Sequence, residues 1–168
     1  LWAGPYLFCT PCTSYNLPFT DNLNGARWVA DDINFSPTTD LINQCWTRTP
    51  SASSAYSWRV RSVATGSSLT GPISGYGGTG NYLFTEASNG SAGDAAEIIS
   101  PIINLATATD PYLEFQYHFY GAAIDVMYIE GYDGTIWTTV DSIAGQVQTS
   151  DAAPWQSKLV SFNGFAGT

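Results

Sequence analysis

The sequence predicts an all-β fold, either a β-sandwich or a β-barrel. Nearly every periodic stretch alternates apolar and polar residues with a period of two, which is the period of a half-buried strand. These stretches are short, and Gly-, Ser- and Thr-rich segments such as 64–80 separate them. No segment carries a sustained helical stripe, and at most 91–98 forms a helical turn.

The clearest strand is PYLEFQYHFYG at 111–121. Alternation places one set of large side chains on one side, namely Leu113, Phe115, Tyr117 and Phe119. The opposite side carries Tyr112, Glu114, Gln116, His118 and Tyr120. This pattern predicts a half-buried antiparallel strand with a polar, aromatic outer side.

Other segments have the same character. Residues 124–143 read as a hairpin around Asp133-Gly134, because Asp-Gly is a strong turn signal. Further strands are predicted at 57–63, 81–88, 97–105 and 155–162. In the strand 81–88, alternation puts Glu86 on the same side as Tyr82 and Phe84. A carboxylate on a buried side needs a partner, a proton or a metal ion.

Composition and charge limit the classes of function. The chain has 168 residues, 44% of them hydrophobic, which suffices for the core of one globular domain. Fourteen acidic residues stand against five basic ones, a formal net charge of −9. This charge repels phosphate backbones, so we expect no nucleic-acid partner. No apolar run reaches the roughly 18 residues that a membrane span requires, so we expect no membrane insertion.

The three cysteines leave two alternatives open. Cys9 and Cys12 form a Cys-x-x-Cys pair, but Pro11 lies between them and the flanks read as extended. A zinc site needs two further ligands, and the chain offers one His and the distant Cys45. A disulfide that involves Cys9 or Cys12 is the other alternative. It would leave one thiol free or paired outside this segment.

A longer series of residues resembles the MAM domain. Residues 70–105 run from a Thr-Gly-Pro loop through a Tyr-Leu-aromatic-x-Glu-Ala-Ser strand to an Ile-Ser-Pro segment. The strand 111–121 then ends in Tyr-His-Phe-Tyr-Gly. Weaker similarities at 18–23, 56–62 and Trp155-Gln156 extend the resemblance over most of the chain.

The resemblance implies an antiparallel jelly-roll β-sandwich over residues 14–168. Two features depart from the family pattern. The cysteine that animal MAM domains carry before the His strand is absent, since Pro111-Tyr112 stands there, and Thr20 replaces an acid. The family's final strand has no counterpart before Thr168, so we expect the sandwich to lack it and to leave an edge open to strand addition.

The first residues carry a second resemblance. WAGPYLFCTPC at 2–12 is similar to the closing strand of a fibronectin type III module. Residues 1–13 are therefore expected to be the end of a preceding module or a linker. Tandem modules of this kind and the missing cysteine favour a bacterial secreted or cell-surface protein.

Two acids are candidate metal ligands. Asp21 ends the first predicted strand, where the resemblance implies a Ca²⁺ or Na⁺ ion, with an exposed turn residue as the alternative. Glu86 is either a carboxylate held by backbone N–H groups or an arginine, or a second ligand for a structural Ca²⁺. Asp31, Asp32 and Asp40 lie in an apparent insertion, where we expect solvated side chains or a second ion.

The candidate ligand-binding surface is the outer side of the His strand, which carries Tyr112, Glu114, Gln116, His118 and Tyr120. Sugars bind aromatic faces flanked by amides and carboxylates, but the same aromatics also serve to cover a second sheet. The family carries the same His with no activity attached, so we expect His118 to be packed. No nucleophile elbow or zinc-binding His pair occurs, and no catalytic residue is predicted.

The resemblance therefore predicts a non-catalytic adhesion or assembly module of a larger extracellular or cell-surface protein. Its expected partners are other modules of the same protein, a cell-surface protein or a glycan. The alternative is a carbohydrate-binding module attached to a secreted hydrolase.

Overall fold

The computed structural model describes residues 12–33, 39–88 and 90–165. Within these ranges the chain forms ten short strands and one 3-10 turn at Tyr76–Gly78. None of the described residues forms a helix long and apolar enough to cross a membrane. The strands are β1 Tyr15–Asn16, β2 Thr47–Thr49, β3 Arg59–Arg61, β4 Tyr82–Phe84, β5 Glu97–Ile99, β6 Ile103–Asn104, β7 Tyr112–Tyr117, β8 Val126–Tyr132, β9 Trp137–Ala144 and β10 Gln156–Ser161.

The strands pair in five two-stranded ladders. Four ladders are antiparallel, namely β2–β5, β3–β4, β7–β10 and β8–β9. The short pair β1–β6 is parallel. The fold class is the predicted one, an all-β protein of the antiparallel jelly-roll sandwich type.

The main apolar core lies on the inner side of the two longest ladders. Ile129 of β8, Ile143 of β9 and Val160 of β10 are its buried members. Partly buried side chains pack around them, namely Phe115, Tyr117, Phe119, Met127, Val140, Val147 and Phe162. A salt bridge from Lys158 of β10 to Asp141 of β9 joins the ladders, with 2.8 Å between Nζ and Oδ2.

The predicted hairpin at 124–143 is confirmed as β8 and β9. Its turn is held by Asp133, whose Oδ1 accepts the backbone N–H groups of Thr135 and Ile136 at 2.8 and 2.9 Å. Gly131 of β8 lies under the ring of Phe165, where a side chain would collide with the ring. The inner side of the hairpin is therefore closely covered at this point.

A disulfide joins Cys12 to Cys45 across 33 positions of sequence. The hydroxyl of Tyr15 in β1 lies 3.7 Å from Cys45 Sγ. The alternative of a disulfide that involves Cys12 is thus confirmed. Cys9, with the part of the fibronectin-like segment before Cys12, lies outside the described residues.

Candidate binding surface

The outer side of the β7–β10 ladder forms a continuous surface of polar and exposed apolar side chains. Cross-strand register pairs Tyr112 with Ser161, Glu114 with Leu159 and Gln116 with Ser157. We call these residues the ladder face: Tyr112, Glu114, Gln116, Ser157, Leu159 and Ser161. Tyr112 and Leu159 are each 62% exposed, although both side chains are largely apolar. Ser157 Oγ donates to Glu114 Oε1 at 3.0 Å and holds this carboxylate at the surface.

Strand β7 ends at Tyr117, and the last two predicted binding residues lie beyond it. The ring of His118 packs against Trp155, with 5.7 Å between centroids. Tyr120 is half-buried, and its carbonyl accepts the N–H of Gly71 at 2.8 Å. The structure thus brings Tyr112, Glu114 and Gln116 together and directs the other two residues elsewhere. A ligand-binding role for the five stays a prediction.

His118 lies in an apolar setting. Both ring nitrogens are buried, and neither has a hydrogen-bond partner within the described ranges. Burial lowers the pKa of His118 below its usual 6.5, while polar backbone groups at Ala153 and Ser150 and the charge of Asp151 act in the opposite direction. The expectation of a packed histidine is confirmed.

A shallow groove of about 300 Å³ lies next to the Trp155 side chain, between the loops 72–78 and 151–155. Trp155 closes one end of it, donating from Nε1 to the carbonyl of Ser74 at 3.3 Å. The ring of Tyr82 packs against Trp155 from β4, with 5.9 Å between centroids. The Trp155 side chain that lines the groove is therefore fixed from behind by Tyr82.

Glu86 is buried together with Tyr82 and Phe84, as alternation along 81–88 predicts. Its Oε1 accepts the N–H of Ser88 at 3.0 Å and the Ser88 hydroxyl at 2.6 Å, and its Oε2 accepts the Ser67 hydroxyl at 2.9 Å. Burial alone would raise the pKa of Glu86, but these hydrogen bonds and the charge of Arg59 lower it below its usual value. Glu86 is a charged anchor between β4 and the 64–80 loop.

The neighbouring strand β3 brings two buried arginines to the same side of the sheet. Register places Arg59 opposite Phe84 and Arg61 opposite Tyr82. Arg59 donates from Nη2 to the carbonyl of Ser54 at 2.8 Å, while its Nε and Nη1 have no partner among the described residues. Burial lowers the pKa of Arg59, and the nearby acids Asp40 and Glu86 oppose that effect. The carboxylate of Glu86 therefore interacts with the buried positive charge of Arg59.

The expectation of solvated acids at 31–40 is wrong. Asp31 and Asp40 are buried, and Asp32 is partly buried. Asp31 Oδ2 accepts from the Thr39 hydroxyl at 3.0 Å, and Asp32 Oδ1 accepts the N–H of Ser62 at 2.8 Å. Asp32 and Asp40 accept backbone N–H groups of Ser62 and Val60, in and next to β3, so these acids satisfy buried donors instead of facing solvent.

Asp21 binds two indoles. Its Oδ2 accepts Nε1–H from Trp28 at 3.1 Å and from Trp46 at 3.0 Å, and its Oδ1 accepts the N–H of Leu23 at 2.9 Å. The two indole rings also pack edge to face, with 5.6 Å between centroids. One carboxylate thus joins residues that are distant in sequence.

These contacts bear on the predicted calcium ion. Ca²⁺ prefers six to eight oxygen ligands, whereas the groups that the structure directs at Asp21 are N–H donors. Within the described ranges, no group of three or more His, Cys, Asp and Glu side chains could hold a metal ion. Metal ligation by Asp21 and Glu86 remains an untested prediction.

Comparison with known proteins decides the family. The model of the MAM domain, described as meprin/A5/mu, matches residues 24–167. The chain belongs to the MAM family. The resemblance at 70–105 and 111–121 is thereby confirmed.

Curated relatives of this MAM domain are neuropilins. Neuropilin-1a of Danio rerio is 27% identical over 111 residues, which cover 66% of this chain and 12% of the relative. Neuropilin-1 of Xenopus laevis is 32% identical over 78 residues, covering 42% of this chain and 8% of the relative. Neuropilin-1 of Rattus norvegicus is 28% identical over 90 residues, covering 49% of this chain and 9% of the relative. The chain therefore spans about a tenth of the length of these relatives, and no solved structure matches it significantly.

Proposed function

We propose that this MAM domain is a non-catalytic adhesion or assembly module of a larger extracellular protein and binds a partner protein through the ladder face. The observation that carries the proposal is the pair of exposed, largely apolar side chains on that face, Tyr112 and Leu159. Apolar side chains exposed beside polar ones are typical of protein interaction sites. Glu114, held by Ser157, lies next to them and would set the orientation of a partner.

The disulfide supports an extracellular location. Disulfides persist in oxidising compartments and are rare where glutathione keeps thiols reduced. The bond between Cys12 and Cys45 is therefore suited to a secreted or cell-surface protein. The neuropilin relatives, of which the chain spans only a small part, support a module within a longer chain.

The state of His118 supports binding without catalysis. A general base needs a hydrogen bond to the group that it deprotonates and another that orients its ring. His118 is the chain's single histidine, and its buried nitrogens have no partner among the described residues. Its position against Trp155 is that of a packing residue.

A sugar-binding module attached to a secreted hydrolase is the second candidate. Tyr112 exposes an aromatic surface beside the Glu114 carboxylate and the Ser157 hydroxyl, and these groups also suit a sugar. Family membership favours the protein partner. The partners we propose are other modules of the parent protein or a cell-surface protein.

Adhesion of coated beads tests the proposal. Beads carrying this chain are mixed with beads carrying the chain itself, or the other extracellular modules of its parent protein, and the chain is applied to a glycan array in parallel. We expect clustering with a protein-coated set and its loss in the double variant Tyr112→Ala, Leu159→Ser. Tyr76→Ala is the matched control, because Tyr76 is 60% exposed on a different loop.

Two results would contradict the proposal. One is an absence of clustering with every protein-coated set. The other is selective capture of a glycan that Tyr112→Ala abolishes, which would establish the sugar-binding alternative.

A further inference from the structure

A second exposed surface lies on the outer side of the β8–β9 hairpin. Tyr128 is 63% exposed, and Tyr132 and Trp137 are each 49% exposed. Tyr132 and Trp137 are register partners whose ring centroids lie 5.0 Å apart at an interplanar angle of 34°. We call this surface the hairpin face, formed by Tyr128, Glu130, Tyr132, Trp137 and Thr139.

A carboxylate lies between the aromatic groups of the hairpin face. Glu130 is exposed and follows Tyr128 by two positions, so the two side chains share a side of the strand. Thr139, its register partner on β9, donates from Oγ1 to Glu130 Oε1 at 3.2 Å. Tyr128 and Tyr132 are four residues apart, or about 13 Å along an extended strand. The surface therefore presents aromatic, carboxylate and aromatic groups in a row.

The charge around the hairpin face is negative. Residues 121–154 contain no lysine or arginine, and the chain as a whole carries five. Of these five, Arg59 and Arg61 are buried, Arg48 is paired with Asp40, and Lys158 is paired with Asp141. A chain with a formal charge of −9 thus keeps much of its positive charge inside or neutralised. The surface beside Glu130 is complementary to a cation.

We propose that the hairpin face binds an arginine- or lysine-bearing segment of a partner protein. A guanidinium or ammonium group stacks on the electron-rich faces of Tyr128 or of the Tyr132–Trp137 pair, and the Glu130 carboxylate accepts its N–H groups. A neutral sugar could use the same rings and carboxylate, but it would gain no attraction from the negative charge of the surface. The inference rests on the proposed binding function, and it assigns this contact to a different surface and a defined chemistry.

The test uses the 168-residue chain and two labelled Gly-Ser peptides. One carries two arginines about 13 Å apart when extended. The other carries citrulline, which has the same shape without the charge, at both positions. We expect the arginine peptide to bind at least about tenfold more tightly than the citrulline peptide, with affinity falling as salt rises.

Three variants locate the contact. Glu130→Gln should weaken binding of the arginine peptide several-fold and reduce its salt dependence, because the carboxylate is removed at nearly constant shape. Tyr128→Ala combined with Trp137→Ala should abolish the binding, since both aromatic positions are lost. Glu97→Gln is the matched control, because it removes an exposed carboxylate from β5, outside both proposed faces, and should leave the affinity unchanged.

The inference is overturned if the two peptides bind equally, if neither binds, or if Glu97→Gln is as damaging as Glu130→Gln. A glycan whose capture depends on Trp137 but not on Glu130 would also overturn it, in favour of a neutral ligand. Failure here leaves the proposed function intact when bead adhesion still depends on Tyr112 and Leu159. The variants alter exposed side chains, and an unchanged melting temperature verifies that each one folds.

Discussion

The carboxylate of Asp40 and the guanidinium of Arg48 form an ion pair, with 2.5 Å between Oδ2 and Nη1. The Asp40 side chain is fully buried, and the same Oδ2 atom accepts the backbone N–H of Val60 at 2.9 Å. Arg48 in turn donates to the carbonyl of Trp58 at 3.1 Å. One charged pair thus joins β2 and β3 to the segment before residue 41.

Replacing either Asp40 or Arg48 should lower the free energy of unfolding. Asp40→Asn or Arg48→Met leaves one buried charge without its partner, and we expect each variant to lose about 3 to 5 kcal/mol of unfolding free energy. The double variant should lose less than the sum of the two, because neither charge then remains. Urea denaturation of the four proteins measures the coupling.

The exposed pair of Lys158 and Asp141 is the matched control for that experiment. Its side chains are partly exposed, so solvent already screens the attraction. Asp141→Asn should change the melting temperature far less than Asp40→Asn. Equal effects at the two sites would show that burial adds nothing to the Asp40 pair.

The disulfide should contribute strongly to stability. Linking Cys12 to Cys45 closes a loop of 33 positions, and the resulting decrease in the chain entropy of the unfolded state corresponds to about 3 to 4 kcal/mol of stability. We expect Cys12→Ser with Cys45→Ser to lower the melting temperature substantially. Addition of a reductant should lower it in the parent and leave the double variant unchanged. A reductant effect that persists in the double variant, which keeps only Cys9, would show that the Cys12–Cys45 bond is not the source of the effect.

Because the chain has a single histidine, its protonation is expected to make the free energy of unfolding depend on pH. Its folded-state pKa lies below 6.5, so the unfolded chain binds more protons as the pH falls through that value. Stability from neutral His118 should therefore be complete above about pH 6.5 and should decrease as the pH falls toward the folded-state pKa. Denaturant titrations from about pH 7.5 to 5 measure the slope.

His118→Phe keeps the packing against Trp155 and removes the titration. We expect the slope between about pH 6.5 and 5 to be shallower in this variant. The acids Glu86, Asp133 and Asp141 have lowered pKa values, so their contributions are lost only under more acidic conditions. An identical slope in the parent and in His118→Phe would exclude burial of the neutral ring as its cause.

Asp21 provides a test of the indole contacts and of the predicted cation. Asp21→Ala leaves the Nε1–H groups of Trp28 and Trp46 without their acceptor, and each unpaired donor costs about 1 to 3 kcal/mol when buried. We expect this loss in EDTA and in millimolar Ca²⁺ alike. A melting temperature that rises with Ca²⁺ in the parent but not in Asp21→Ala would instead support a bound metal. Tryptophan fluorescence reports on the two indoles in the same samples.

Local pattern predicted β3 to β10, whereas β1 and β2 were not predicted and the predicted first strand ending at Asp21 is not a strand. It also predicted most faces, although Leu113, predicted on the core side of β7, is 41% exposed. Along β7, Phe115 and Tyr117 pack on the core while Tyr112 and Glu114 are exposed, because side chains on a strand alternate whatever lies around it. The hairpin followed from Asp133-Gly134, whose turn conformation is determined within a few residues. Alternation failed at His118, since β7 ends at Tyr117 and the period of two applies only within a strand.

Contacts between residues that are distant in sequence could not be predicted from the local pattern. Asp40 was expected to be solvated, yet its side chain is fully buried beside Arg48. The indoles on Asp21 and the partner of Cys12 depend on which loops meet, and no periodic pattern encodes that. The hairpin face could have been predicted from the sequence, because alternation alone puts Tyr128, Glu130 and Tyr132 on one side of β8.

The covalent link between Cys12 and Cys45 also determines how a pulling force enters the molecule. Tension applied to the residues before Cys12 passes through the two sulfur atoms directly to the chain beside β2. The intervening stretch, which includes β1 and Asp21, is then shielded from mechanical load as long as the bond is oxidised. Under the proposed adhesion function, reduction of this bond would convert a taut attachment into a longer, extensible one.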